Sequence, residues 1–254
     1  PEKPPKTWEE FKSYCIILKK ELNKDNPEET IYPFSFAPSI WFITTMYLQN
    51  QGVIYDKNTK AIIQDKEIMI KAIDFFVQLH KDDLMELTKD RSYQEHFIQG
   101  KAVMILASCV SRTFMKDDIK FNSGLTPFPQ GKIKASILSG TNLIVFKSKN
   151  KSKTAAAVKL INYLLKPENV AKWVMETNYL PCRKSALTVP FFDAHLKENP
   201  SLRELYKEID YLQEEPKAKK WVNGRKILRS KLEKIFFLNV PINEALDEFY
   251  KELK

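Results

Sequence analysis

The sequence predicts an α/β chain, and three observations predict it. Apolar residues recur at three- and four-residue steps in several stretches, most clearly at 66–80, where Met69, Ile73, Phe76 and Leu79 share one side. Between such stretches lie short continuous apolar runs, AVMILA at 102–107 and NLIVF at 142–146, of the kind that form buried strands. The 254 residues are 43% hydrophobic and 12% aromatic, enough for a real core in one large or two modest domains.

Taken in order, Thr7 and Glu10 form a capping box, and Trp8, Phe11, Cys15, Leu18 and Leu22 make the apolar stripe of a first helix, with Cys15 a small core hydrophobe. A polar, acidic loop follows at 23–31. The run 35–52 is apolar nearly all round after Pro38 and stops at Gly52, which describes a helix that is buried or lines a cleft. Trp41 opens it, and by default a Trp there is core. A polar link at 56–65 touches the apolar interior at 61–63, and the 66–80 helix comes next. A short helix at 92–98 ends at Gly100, and the strand at 102–107 leads into Ser108. Phe121, Leu125 and Phe128 among Gly124, Pro127 and Pro129 read as a strand ending in a turn. A small-residue turn at Ser139, Gly140 and Thr141 precedes the 142–146 strand, and a helix at 154–166 presents Ala157, Leu160, Ile161 and Leu164 at core spacing. After Pro167 a second helical run carries Trp173 as core and gives out at Tyr179, before Pro181. The final third is charged and helical, with an amphipathic run at 200–212 (Leu202, Leu205, Ile209), a link at 214–220, and closing helices at 224–237 and 242–253.

Several chemistries are excluded. The net charge of +9 comes from lysines interleaved with acids, as in KKELNKDNPEE, with no Arg-rich or aromatic-and-Gly motif, so it describes solvated helices rather than a nucleic-acid footprint. It also favours drawing in an anionic solute. Cys15, Cys109 and Cys182 are odd in number and stand at no metal-ligand spacing, which leaves room for one disulfide pair but for no framework. His80, His96 and His195 are scattered, so no metal site is read. Ser108 lies in LASCV, without the flanking glycines of a nucleophile elbow, and the six glycines form neither a phosphate-cradling loop nor a dinucleotide fingerprint. No cofactor and no catalysis are expected. No apolar run approaches the roughly 18 residues of a membrane span, and no charged-then-apolar signal segment is visible. What remains is a chain with ligand-touching groups at loop ends: Gly140, where a backbone can meet a bound molecule closely, and Tyr179.

The order PKTWEEF at 5–11, GKAVMILAS at 100–108, KFNSGLTPFP at 120–129, the Gly140 turn and apolar strand, LLKPEN at 164–169, and Tyr179-Leu180-Pro181 resembles the extracellular solute-binding proteins of sugar-type ABC importers. Within that family it is most similar to the sn-glycerol-3-phosphate-binding branch. Each motif is short; order and spacing over nearly the whole chain carry the resemblance.

The resemblance implies an α/β, two-lobed periplasmic-binding-protein-like fold of type II that closes on its ligand by hinge bending. Residues 1–117 would begin the carboxy-terminal lobe, 118–181 would complete the amino-terminal lobe, and 182–254 would return as closing helices. Pro1 falls where such proteins have built most of their first lobe, so a chain lacking its amino-terminal segment is expected. The implied setting is the periplasm or the outer face of the cytoplasmic membrane, lipid-anchored or free. The implied partners are a phosphorylated glycerol or sugar and the permease subunits of an importer, with no nucleic acid. Of the site, Trp41 would wall the pocket, Ser108 and the Gly140 amide would give hydrogen bonds, Tyr179 a hydroxyl and ring face, and Arg225 the charge that grips a phosphate. Arg225 is reached by ungapped matching back from Glu244-Ala245-Leu246-Asp247, and Arg229, one turn later, is the fallback. The competing account makes both arginines solvated partners of Glu233 and its neighbours. Where the family carries a second Trp three residues before Trp41, this chain has Pro38. A neutral sugar or oligosaccharide is therefore the alternative ligand, and an enzyme or helical interaction module the alternative outside the family.

Overall fold

The computed structural model describes residues 2–22, 24 and 30–253, so the loop read at 23–31 lies largely outside the described residues. In chain order the elements are α1 (Trp8–Leu22), β1 (Tyr32–Phe36), α2 (Ile40–Gln49), α3 (Lys66–Lys81), β2 (Met85–Leu87), α4 (Ser92–Ile98), β3 (Ala102–Ile105) and α5 (Ser111–Met115). There follow β4 (Ser136–Leu138), α6 (Lys151–Leu164), α7 (Pro167–Thr177), α8 (Pro190–Glu198), α9 (Pro200–Lys207), β5 (Leu212–Glu214), α10 (Lys219–Leu238) and α11 (Ile242–Glu252). Single 3-10 turns at Lys184–Thr188 and Glu208–Tyr211 precede α8 and β5. No helix among the described residues is long and apolar enough to cross a membrane. The chain gathers into two units: Pro1–Leu106, Phe128–Leu138 and Tyr211–Lys254 form the first, Ala107–Pro127 and Ser139–Asp210 the second.

The first unit is built on a parallel sheet in the order β2-β1-β3, in which Phe34 of β1 stands in register with Met85 and with Met104. The sequence YPFSF is buried along nearly its whole length. It escaped the sequence analysis because a strand covered on both faces shows no alternation. Against it lie Trp8, Phe11 and Cys15 of α1, and Met69, Ile73, Phe76 and Leu79 of α3, all buried. The Phe76 ring stacks on Phe36 at 4.5 Å and 1°, and Phe11 meets Phe34 edge-on at 5.0 Å. Each such ring contributes about 1.5–3 kcal/mol by leaving water. The helix starts are as the sequence implies. The Glu10 N–H donates to Thr7 Oγ1 at 3.2 Å while its carboxylate reaches back to the Lys6 N–H at 2.7 Å, and Asp65 accepts from the Ile68 N–H at 2.9 Å to open α3.

Three details differ from expectation. The run 102–107 is not a buried strand: β3 stops at Ile105, lies at the sheet edge and exposes Val103. α2 ends at Gln49, and Gln51, not Gly52, takes the left-handed conformation with φ 71°. Gly52 is needed instead because the Tyr47 ring occupies the place of its side chain. The run 200–212 is not one helix, since its last residue, Leu212, opens β5, which pairs in parallel with β4 from Ser136↔Leu212 to Leu138↔Glu214.

Helices α10 and α11 close this unit with Leu228, Leu232, Ile235 and Phe236 from the first and Ala245, Leu246 and Phe249 from the second. Lys231 sits among them at 3% exposure, donating to Glu248 and Glu252 at 2.7 Å each, while Lys234 reaches Glu248 at 2.8 Å. Hydrogen bonds from Lys231 and Lys234 hold the Glu248 carboxyl down at about 2. Burial works against the Lys231 charge, but its two carboxylates outweigh it and raise its pKa.

The second unit has its own core. Val170, Ala171 and Val174 of α7 meet Ala186, Val189, Phe192 and Leu196 from the next turn and α8, and Leu202 and Tyr206 from α9. Thr113 of α5 donates to Thr177 O at 2.8 Å and accepts from the Asn178 amide at 2.9 Å. The chain therefore divides at 106/107, 127/128, 138/139 and 210/211, whereas boundaries were expected at 117/118 and 181/182. The difference is physical: α5 is tied to the end of α7, and the apolar faces of α8 and α9 close over α7. Amphipathy announces an apolar face but not which core will take it.

Here too some expectations are corrected. No strand forms at 142–146, where Leu143 and Ile144 are exposed and Phe146 is 82% exposed, and none forms at 121–128. The helix read at 154–166 exists as α6 but has no buried residue. Trp173 is not core; its indole is exposed, 6.2 Å from the Tyr179 ring.

Candidate functional site

The most developed polar cluster of the candidate residues surrounds Arg225. Strand β5 ends at Glu214, Glu215 follows directly, and α10 begins four residues further on. Trp221 and Arg225 are one helical turn apart and so share a face. The buried Trp221 indole N–H donates to Glu215 Oε1 at 3.1 Å, and Arg225 Nη1 donates to Glu215 Oε2 at 2.7 Å. One carboxylate is thus held by two donors. The side chains of Arg225 and Glu215 are 35% and 21% exposed. A guanidinium has five N–H donors, and among the described residues Arg225 makes no hydrogen bond besides that to Glu215. It reaches solvent with donors to spare.

By sequence alone Glu215 reads as part of the link at 214–220. An acid directly before Pro216 and ten residues ahead of Arg225 was the signal present, but its meaning depends on the turn from β5 into α10. Arg229 is different: its Nε donates to Glu233 at 3.2 Å within one helix turn, both groups are largely exposed, and it matches the solvated-pair account.

Trp41 lies in the first turn of α2 at 44% exposure, so its default placement in the core is corrected: the indole faces outward. Ser108, in the turn after β3, is exposed, and its carbonyl accepts from the Ser111 N–H at 2.8 Å. Gly140 is exposed, and a side chain there would meet nothing within 4 Å. The fold itself does not require a glycine at that point. Tyr179 is half-buried beside Trp173, one residue after Asn178, which ends α7 in the left-handed conformation with φ 55°. Trp41 and Arg225 belong to the first unit; Ser108, Gly140 and Tyr179 belong to the second. No hydrogen bond or ring contact joins these last three to one another among the described residues.

Catalytic geometry is lacking where its components come together. Ser35 Oγ donates to Glu86 Oε2 at 2.7 Å, and His96 Nδ1 lies 2.8 Å from the same oxygen. The hydroxyl therefore faces a carboxylate instead of an imidazole base. Burial pushes the Cys109 thiol up, with hydrogen bonds from Val110 and Ser108 only partly offsetting it, so it is not a ready nucleophile. Among the described residues no group of three or more His, Cys, Asp or Glu is placed to hold a metal ion. A cavity of about 340 Å³ beside α10, lined by Lys220, Asn223, Lys226, Ile227, Glu252 and Leu253, contains none of the candidate residues.

Residues 1–203 match the family described as bacterial extracellular solute-binding protein. The chain belongs to that family. Its curated relatives include the sn-glycerol-3-phosphate-binding periplasmic protein UgpB of Escherichia coli (strain K12) and that of Salmonella typhimurium (strain LT2), each 27% identical over 210 residues, covering 79% of this chain and 47% of the relative. The chain thus spans about half the length of the curated relatives it matches. Among solved structures it is similar to UgpB from Mycobacterium tuberculosis in complex with glycerophosphocholine, with a TM-score of 0.81 at 20% identity. It is equally similar to the sugar-binding protein MalE from Xanthomonas citri, with a TM-score of 0.81 at 20% identity; both matches cover 100% of this chain and 64% of the other. At that identity the likeness is one of fold, and it is the α/β fold of two-lobed periplasmic binding proteins, as the resemblance implied. The family is one of extracellular binding proteins, not enzymes.

Proposed function

We propose that this chain serves as the solute-binding component of an ABC importer, capturing glycerol 3-phosphate or a related glycerophosphodiester and delivering it to permease subunits in the membrane. The observation that carries this is Arg225: a half-buried guanidinium, held in place by one carboxylate and offering unused donors, in a chain whose relatives include glycerol-3-phosphate binders. Its planar fork suits phosphate oxygens. Trp41 adds an exposed aromatic wall, Ser108 an exposed residue whose hydroxyl lies beside the Cys109 thiol, Gly140 a main-chain amide unobstructed by any side chain, and Tyr179 a phenol whose ring is steadied by Trp173. Capture in this reading is hinge closure, driven by the solute's extra contacts in the closed state.

A neutral sugar or oligosaccharide is the second reading. Glu215, which offsets the Arg225 charge, and Pro38, which stands where the glycerol-phosphate binders carry a second Trp, both favour it.

Thermal melting of the full-length protein against glycerol 3-phosphate, glycerophosphodiesters and neutral saccharides at matched ionic strength tests the proposal. A ligand at a hundred times its Kd stabilises by about 2.7 kcal/mol. A shift with the phosphates that vanishes in Arg225→Ala and survives in Arg229→Ala is the expected result. A shift with saccharides alone selects the second reading, and no shift with any of them refutes both.

A further inference from the structure

We infer that Glu215 is a specificity-determining residue: by holding Arg225 it offsets the charge offered to a solute, so that a phosphomonoester dianion loses more of its attraction to Arg225 than a singly charged phosphodiester does, and a neutral polyol loses none. This rests on the solute-binding reading above and deepens it.

The geometry is that of a carboxylate fixed at both oxygens. Oε2 takes Arg225 Nη1 at 2.7 Å and Oε1 takes the Trp221 indole at 3.1 Å. Trp221 is 1% exposed, so if the carboxylate swung away it would leave a buried N–H without a partner. Glu215 is therefore not a mobile counter-ion that an arriving anion can push aside. An anion seated on the remaining Arg225 donors has a fixed negative charge across the same guanidinium. Exposure of 35% and 21% screens that repulsion less than at an open surface pair such as Arg229–Glu233, at 71% and 58%.

The consequence depends on ligand charge. A phosphomonoester is close to doubly negative at neutral pH, since its second ionisation lies near 6; a diester carries one charge and a sugar none. Attraction to Arg225 and repulsion from Glu215 both scale with that number, so Glu215 takes most from the dianion, whereas the hydrogen bonds offered by Arg225 are available to all three. Hydroxyl groups gain a further contact, because a carboxylate oxygen retains acceptor capacity after accepting one N–H.

The experiment is titration calorimetry of the full-length protein with glycerol 3-phosphate, glycerophosphocholine and maltotriose as probes. The variants are Glu215→Gln, Arg225→Gln and the double variant. Glutamine keeps one oxygen for the Trp221 N–H, and its amide NH2 takes the place of Oε2, so the charge and the acceptor for Arg225 Nη1 are removed together. Glu215→Gln is expected to tighten glycerol 3-phosphate about tenfold relative to maltotriose, equivalent to about 1.4 kcal/mol, with a smaller gain for glycerophosphocholine. The gain should disappear in the double variant. Because the readout is a ratio between probes on one protein, a lowered folded fraction cancels. Trp221→Phe, which frees the carboxylate while keeping its charge, should move the ratio the same way by less. An unchanged ratio in Glu215→Gln with wild-type protein that binds the probes overturns this inference and leaves the capture reading standing. Failure of wild-type protein to bind any probe overturns the capture reading, and this inference with it.

Discussion

Alanine at Gly52 and alanine at Gly140 should separate a glycine the fold requires from one it does not. A Cβ at position 52 would lie 2.4, 2.5 and 2.6 Å from Cζ, Cε1 and Cδ1 of Tyr47, roughly 1 Å inside ordinary carbon contact. The ring has nowhere to retreat: it is fully buried, its hydroxyl donating to Val53 O and accepting from the Asp65 N–H, both at 3.4 Å. Overpacking of this kind costs about 1–3 kcal/mol. Against it stands the entropy an alanine removes from the unfolded chain, about 0.4–1 kcal/mol in the stabilising direction. Overpacking wins, for a net loss of about 1–2 kcal/mol, or about 3–6 °C in Tm for a unit of this size. At Gly140 nothing lies within 4 Å and φ is not in the left-handed region, so alanine should leave Tm unchanged or slightly raised. If the Gly140 amide meets the solute, the same substitution should weaken solute binding at least tenfold. Gly124, equally open, is the control for both measurements. Thermal melts and calorimetric titrations on the three variants are the assay. Gly52→Ala melting within 1 °C of wild type would refute the packing argument, and Gly140→Ala binding solute normally would remove Gly140 from the site.

Other outcomes follow from the same structure. Glu248, held at about 2 when folded against about 4.5 when free, contributes stability that is full above 4.5 and is lost as pH falls toward 2; urea midpoints between pH 5 and 2 should fall more steeply in wild type than in Glu248→Gln. Cys15, buried and pushed up to about 12 by desolvation, should resist iodoacetamide in the native state while exposed Cys182 is labelled, as read by mass spectrometry of the digested protein. Trp41→Ala removes a side chain that is 44% exposed, so it should lower stability by less than about 1 kcal/mol while reducing solute affinity, and a melt shift as large as that of a core truncation would return Trp41 to the interior.

Much of the fold was legible where local chemistry and tertiary demand coincide. α3 combines a capping Asp65 with four apolar residues on one side, and all four are buried; α4 runs from Ser92 to Ile98 as its pattern and Gly100 imply. β1 was illegible because YPFSF lacks alternation and runs into the apolar helix that follows, although its aromatic richness was a strand signal. Leu143, Ile144 and Phe146, with Leu160 and Leu164 of α6, show the opposite failure. Their spacing announces a need for burial, and the second unit draws its described core from α7, α8 and α9 instead. For the site, residue chemistry alone pointed to Gly140 and Tyr179, while Trp41, Ser108 and Arg225 rested on resemblance. Glu215 was out of reach because its partners are set by how β5 hands the chain to α10.

Among the cations of α10, Arg225 is the one proposed to meet a ligand. Lys231 is buried and its ammonium is met by two carboxylates of α11, so its charge is consumed in holding two helices together. Arg229 and Glu233 face solvent, where such a pair fixes little. Arg225 lies between these extremes: oriented by a carboxylate that is itself anchored to a buried indole, yet open to solvent with donors unspent. Orientation without exposure makes a structural cation, and exposure without orientation makes a solubilising one. A binding residue needs both, because the entropy of fixing its side chain is then met by the protein before the solute arrives. The same carboxylate that supplies the orientation also limits the charge, and that is why Glu215 and not Arg225 alone should decide which solute is kept.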